Sequence, residues 1–272
     1  RRHDAITSQV ATTARGRVGA VTDTGRLVRL DVVATPEIPR PEDAPSLAGG
    51  QPARLLVDIE PEERVVGLVP IGTESSPPIV LATAAGVIKR VKPGDEPGRG
   101  DSWEVIALAD GDRVVFAGTA ADTDILTLVT SDAQLLRFEA SKVRPQGRGA
   151  GGMAGISLRQ GARVIAASAV PAELLAESVV VTIADAEKAL PGTGTGSVKV
   201  TPLDRYPAKG RATGGVRAQR FLRGEDELIL AWVGVGPARA VGPGGQSVGL
   251  PEVDERRDGS GSPLAAPVAG IG

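Results

Sequence analysis

Two phrases alternate along this chain. The first sets a small or acidic residue and a polar one ahead of an apolar run, as in DAITSQ (4–9), ERVVGL (63–68), DRVVFA (112–117), ARVIAA (162–167) and DELILA (226–231). The second is an apolar run, a tight turn and a basic run: VGAVTDTGRLVRL (18–30), PIVLATAAGVIKRV (78–91), ILTLVTSDAQLLRF (125–138), VVVTIADAEKALPGTGTGSVKVT (179–201) and ARAVGPGGQSVGL (238–250). The step from Asp4 to Thr22 and the step from Asp112 to Thr130 are both 18 residues. Val, Ile, Leu and Thr crowd these runs, and Gly, Pro and Asp punctuate them, which predicts short strands joined by hairpins. AVPAELLAES (169–178) alone predicts a helical turn.

A period of roughly 50 residues with about four strands in each unit predicts an all-β, propeller-like array of about five four-stranded blades. The repeats centre on 4–33, 62–93, 111–143, 161–205 and 225–258, within a single domain spanning 1–272. Units of this kind cannot bury a face alone, so they stack around a centre. Pro-rich stretches such as TPEIPRPEDAP (35–45) and KPGDEPGRG (92–100) then become connections between blades.

Composition narrows the chemistry. Hydrophobic residues make up 41% of the chain and aromatic ones only 2%, so the core is aliphatic. With no cysteine there is no disulfide and no thiolate metal site. The one histidine, His3, sits in a polar terminal stretch and reads as solvated, which leaves no Ser-His-Asp or Cys-His pair. GTGTGS (192–197) lacks the Gly-Lys-Ser/Thr ending of a phosphate loop and reads as a turn. Tyr206, the one tyrosine, has no acid, base or metal cluster beside it and reads as packing. No catalytic residue, cofactor or metal is expected. No apolar run is long enough to cross a membrane and the N-terminus is polar, which predicts a cytoplasmic protein with no membrane partner.

A basic, glycine-rich phrase occurs twice, in VRPQGRGAGGMAGISL (143–158) and YPAKGRATGGVRAQRF (206–221), shifted by 63 residues. With the period and the basic second strand of each hairpin, this phrase resembles the C-terminal β-pinwheel domain of the A subunit of bacterial type IIA topoisomerases, the family of DNA gyrase and topoisomerase IV. The resemblance covers nearly the whole chain, from about Asp4 to RRDGSGSPL (256–264). It implies a ring of blades that exchange a strand with their neighbours and bend double-stranded DNA around the rim. It also implies, as further partners, the ATPase B subunit together with the rest of the A subunit, which carry the chemistry. Gyrase A subunits have a basic Q-R-R-G-G-K-G box that nothing here reproduces. The resemblance places that box upstream of Arg1, and the modest charge favours topoisomerase IV over gyrase.

The residues support a phosphate-contacting surface independently. Four positions past the turn residues Gly25, Gly86 and Ala133 stand Arg29, Arg90 and Arg137, and strand alternation puts the three on one face. One cation per blade predicts a curved ladder in solvent on the outer rim, joined by Lys89. In the repeated phrase the glycines let backbone N–H groups approach a phosphate, and Arg148 and Arg211 bring charge. Arg144 thickens the first copy, and Lys209, Arg217 and Arg220 the second. Ser46 and Gly249 stand where a repeat would place a cation, so contact is not expected there. The net charge of −2 argues for local rather than general basicity. The competing readings are a propeller used as a protein-interaction scaffold, with the basic rim merely solvated, and a propeller enzyme, which would need convergent carboxylates or histidines in a central channel.

Overall fold

The computed structural model of the 272-residue chain describes residues 5–37, 49–97, 99–186 and 196–272. His3, Ser46 and residues 192–195 of the glycine turn lie outside the described residues. Strands β1 to β20, numbered in chain order, form five small sheets arranged as a five-bladed β-propeller. Each sheet is built on a hairpin: β1 (Val18–Thr22) with β2 (Arg26–Leu30), β4 (Ile79–Thr83) with β5 (Val87–Val91), β8 (Ile125–Thr130) with β9 (Gln134–Glu139), β13 (Ser178–Asp185) with β14 (Ser197–Pro202), and β17 (Ala240–Val241) with β18 (Ser247–Val248).

None of the first four blades is made from one continuous stretch of chain. Hairpin β1–β2 takes its inner strand, β3 (Val65–Pro70), from just before the next hairpin and its outer strand, β6 (Ser102–Glu104), from just after it. The same threading recurs with inner strands β7 (Val114–Thr119), β12 (Val164–Val170) and β16 (Glu227–Val235). Their outer partners are β11 (Met153–Ala154), β15 (Val216–Arg217) and β19 (Ser262–Pro263). The short β10 (Pro145–Gln146) adds a parallel pair to β5. The fifth sheet has three strands among the described residues, its inner one being β20 (Gly270–Ile271).

The inner strands β3, β7, β12 and β16 pack side by side around the centre. DAITSQ, expected to be a strand, is not one over its described residues 5–9. Instead the Ile6 backbone lies against Gly272, where a Cβ would come within 2.5 Å of the Ile6 carbonyl, and Ser8 Oγ accepts the Leu68 N–H at 2.8 Å. This segment bridges the fifth sheet to β3. The helical turn expected at 169–178 is a 3-10 helix, Ala172–Glu177.

The core lies between blades. Val80, Ile88, Leu126, Leu128, Leu136 and Phe138 form one cluster from the second and third hairpins, while Val129, Leu135, Val180, Leu203, Tyr206 and Leu228 form the next. Leu128 and Val129 are adjacent yet serve different clusters, so each blade is covered on both faces. Strands buried on two faces read as continuous apolar runs rather than as alternation, and the wholly buried ILTLVT of β8 is such a run. Tyr206 is buried with its hydroxyl donating to the Ala218 carbonyl at 3.3 Å, in agreement with a packing role.

The first hairpin is locked to its donated strand by a charge. Glu63, just ahead of β3, accepts from Arg26 Nε at 2.9 Å and Nη2 at 2.7 Å, and from the Thr22 and Thr24 hydroxyls. The bond from Arg26 is the main reason the Glu63 pKa is held down to about 2. A depressed carboxyl contributes stability that is present above its ordinary value, 4.5, and is lost as pH falls toward 2. Glu63→Gln should therefore cost about 2 kcal/mol at neutral pH and flatten the loss of stability between pH 4.5 and 2, read by urea denaturation across pH. An identical acid limb in the variant would show that Glu63 is not the titrating group.

Candidate nucleic-acid interface

Arg29, Arg90 and Arg137 do occupy one register position, opposite Gly19, Val80 and Thr127 of their hairpins. The face they share is not solvent, and the exposed ladder is a misreading. Arg90 is 2% exposed. Its Nη1 donates to the Ala140 and Val143 carbonyls at 3.1 Å, and its Nη2 to the Ala120 carbonyl at 3.1 Å and to Asp122 at 2.7 Å. Arg137 donates from Nε to the Tyr206 carbonyl, and burial lowers its pKa. Arg29 stacks on Trp103 with 5.1 Å to the ring centroid, donates to the Gly100 carbonyl at 3.1 Å and pairs with Glu96 at 3.3 Å. The reason is topological: alternation holds, but the face it defines packs against the next blade. Arg90 and Arg137 satisfy carbonyls at that blade's corner, and Arg29 satisfies the Gly100 carbonyl in the turn before its own blade's outer strand. The register equivalent in the fourth blade is Val200, opposite Val181.

Lys89 is likewise buried, not on the rim. Its ammonium donates to the Arg148 carbonyl at 2.7 Å and the Ala150 carbonyl at 2.6 Å, gripping the GRGAGG turn from beneath. Burial pushes its pKa down to about 8. Lys199, at the equivalent position of the fourth blade, is also buried and pushed down to about 8 by burial.

The repeated phrase forms the turn before each outer strand. Outer-strand pairings Trp103↔Leu27, Met153↔Ile88, Val216↔Leu135 and Ser262↔Val198 align not two copies but four: PGRGDS (97–102), GRGAGG (147–152), GRATGG (210–215) and RRDGSG (256–261). Successive turns are tied together. The Ala107, Ser157 and Arg220 N–H groups donate to the Ala150, Thr213 and Gly259 carbonyls at 3.2, 3.0 and 3.0 Å. The turns make one continuous edge around four blades.

Charge on that edge is uneven. Residues 142–152 contain Lys142, Arg144 and Arg148 and no acid, and residues 207–224 contain Lys209, Arg211, Arg217, Arg220 and Arg223 and no acid. The first and fourth copies sit among carboxylates: Glu96, Asp101 and Glu104 in one, Glu252, Asp254, Glu255 and Asp258 in the other, while Asp95, from the stretch ahead of the first copy, reaches the Arg148 N–H of the second at 2.7 Å. Arg144, Lys209, Arg217 and Arg220 are exposed, as are Lys142 and Arg223, which the repeated phrase does not single out. None of these six side chains, nor the guanidinium of half-buried Arg148, has an ion pair among the described residues. Arg211 donates to the Lys142 and Ala154 carbonyls, holding its turn while keeping its charge uncompensated. Elsewhere many arginines are neutralised, Arg17 by Glu96, Arg113 by Asp23, Arg159 by Asp132, Arg163 by Glu227, Arg205 by Glu255 and Arg256 by Asp254, while Arg15, Arg54, Arg64, Arg99, Arg239 and Arg257 have no ion pair among the described residues but are not gathered in an acid-free stretch. An acid-free window in the sequence is the signal that finds Lys142 and Arg223.

At the centre, a cleft of about 440 Å³ is lined by Thr7–Ala11, Leu68, Pro70, Phe116–Thr119 and Ala169, none of them acidic, basic or histidine. Among the described residues no group of three His, Cys, Asp or Glu could hold a metal, and no helix is long and apolar enough to cross a membrane.

A ring of strand-exchanged blades with a continuous, partly basic edge defines a propeller-class domain. The model of the DNA gyrase C-terminal domain, described as a β-propeller, matches residues 124–171 and 192–231. The chain belongs to the family of C-terminal domains of type IIA topoisomerase A subunits. It is 29% identical over 216 residues to the DNA gyrase A subunit of Mycolicibacterium smegmatis, covering 78% of this chain and 23% of that one. It is 32% identical over 217 residues to the DNA gyrase A subunit of Mycobacterium leprae, covering 78% and 16%. The chain thus spans a quarter or less of these relatives. Its fold is similar to the crystal structure of the C-terminal domain of DNA topoisomerase IV (TM-score 0.75, 19% identity, 95% of this chain and 79% of that one). It is also similar to the structure of the DNA gyrase A C-terminal domain (TM-score 0.63, 14% identity, 96% and 83%).

The clamp and the rim are separable. Arg90→Ala would take the guanidinium donor from the buried Ala120 and Val143 carbonyls and should cost about 3 kcal/mol, whereas Arg144→Ala should leave the urea midpoint unchanged. Equal midpoints for the two variants would refute the division.

Proposed function

We propose that this domain binds double-stranded DNA through phosphate contacts along the acid-free part of its rim and bends the duplex across the second and third blades. As part of a type IIA topoisomerase A subunit, it would present that duplex to the strand-passage core, working with the ATPase B subunit together with the rest of the A subunit. The observation that carries this reading is the segregation of cations. Among the described residues, Lys142, Arg144, Arg148, Lys209, Arg217, Arg220 and Arg223 stand without ion pairs on one edge, while many arginines elsewhere are paired or buried. A surface stretch of one charge sign attracts a polyanion, whose phosphates release counterions when neutralised. Family membership supports duplex DNA as that polyanion.

Phosphate contacts carry no base information, and each cation that displaces a counterion contributes about 0.9 to the slope of log affinity against log salt. The triple variant Arg144→Ala, Lys209→Ala, Arg217→Ala should lower that slope by nearly three and weaken binding about equally for all sequences. Because bending a duplex costs on the order of 1–6 kcal/mol, a pre-bent duplex should bind more tightly than a straight one. Fluorescence anisotropy across a salt series reads both. A protein-interaction scaffold would show no salt-dependent duplex binding and the same result for wild type and variant.

A further inference from the structure

The second and third turns are not equal holders of phosphate. Counting seven residues on from the register-equivalent Ile88 and Leu135 reaches Asp95 and Lys142. Both contact the turn of their own blade's rim. The carboxylate of Asp95 accepts the Arg148 N–H at 2.7 Å and lies 3.4 Å from where a Cβ on Gly147 would be, so it covers the Gly147–Arg148 corner of GRGAGG. The carbonyl of Lys142 accepts from Arg211 Nε at 3.2 Å, and its ammonium is exposed with no ion pair among the described residues. Glycine-rich turns bind phosphate by offering backbone N–H groups beside a cation. In GRATGG that corner has a lysine next to it. In GRGAGG the Arg148 amide is already bound to an anionic side chain.

We infer that Asp95 acts as a built-in stand-in for phosphate, occupying the first acid-free turn so that DNA is gripped firmly at the third blade and loosely at the second. This rests on the DNA-binding reading above and refines it. A phosphate arriving at GRGAGG meets a fixed negative charge well within one Debye length, and the Arg148 N–H it would use is already taken by that charge. The Lys89 ammonium beneath the turn, on the Arg148 and Ala150 carbonyls, keeps the turn formed whether or not the carboxylate is charged. The asymmetry therefore comes from charge and not from disorder.

Asp95→Asn keeps an acceptor for the Arg148 N–H and removes the charge. With the 272-residue chain and a random-sequence duplex at low salt, it should tighten binding roughly three- to tenfold. Arg148→Ala should cancel that gain in the Asp95→Asn background and cost less than about twofold in the wild type. Lys142→Asp, which imposes the blade-two arrangement on blade three, should weaken binding by a similar factor; being an exposed substitution, it tests the idea independently of how Asp95→Asn folds. The inference is overturned if Asp95→Asn and wild type bind alike, or if the gain survives loss of Arg148, or if Lys142→Asp changes nothing. Salt-independent or undetectable binding by every variant and the wild type would instead overturn the DNA reading itself.

Discussion

The rest of the structure follows from the fact that none of the first four blades closes on its own chain. Each of their hairpins receives its inner strand before the next hairpin is made and its outer strand only after, so two blades must be correct together for either to be complete. Four of the five aliphatic clusters sit between adjacent blades, and the fifth covers the first hairpin with Val57 and Ile59. That placement decides the fate of every side chain on a hairpin. Both faces are covered, so a polar residue there must find a partner at a corner or be expelled. Arg29, Arg90 and Arg137 find carbonyls, and Arg90 adds the carboxylate of Asp122.

The same constraint explains why cations fall into two populations. Those on hairpin strands are tied into corners and hold blades together. Those on the turns before outer strands lie where no further blade covers them, and there the sequence decides by the presence or absence of acid. The turns of the first and fourth blades carry more carboxylates than cations, while those of the second and third carry none among residues 142–152 and 207–224. A net charge of −2 is compatible with a polyanion-facing edge because the charge is sorted, not because it is small.

Much of the fold was legible in the sequence, since strand runs, turn residues and the repeat of polar-then-apolar phrases each reflect local chemistry. Ala133 sits at φ +57 where Gly25 and Gly86 stand at +83, so aligning the turns by position rather than by glycine was sound. The candidate site was half legible. Arg144, Lys209, Arg217 and Arg220 stand on the rim as expected. Lys89, Arg90 and Arg137 do not, because alternation along a strand states which side chains share a face and says nothing of what covers it. The turns of the first and fourth blades were hidden for a related reason: PGRGDS and RRDGSG hold the same place before an outer strand but lack the glycine pair, so only pairing across the blade aligns them. DAITSQ looked like a first strand because it repeats the phrase; at the seam of the ring it meets Gly272 and Leu68 instead of a hairpin.

A rim basic over part of its circumference has a mechanical consequence for the proposed complex. Bending stiffness makes a duplex leave any curved surface that stops holding its phosphates, because the elastic cost, on the order of 1–6 kcal/mol for a bend of roughly 40–90°, must be met by contacts along the bend. The unpaired cations across two adjacent blades can hold such a bend by counterion release. The carboxylate-rich turns to either side would then repel the departing arms, so the duplex should cross the edge as a bend with free ends rather than follow the ring. A segment held at its bend with both arms free is geometrically suited to being handed to another part of the same protein. In the proposed complex the uneven charge of the edge would therefore define where the duplex is released as much as where it is held.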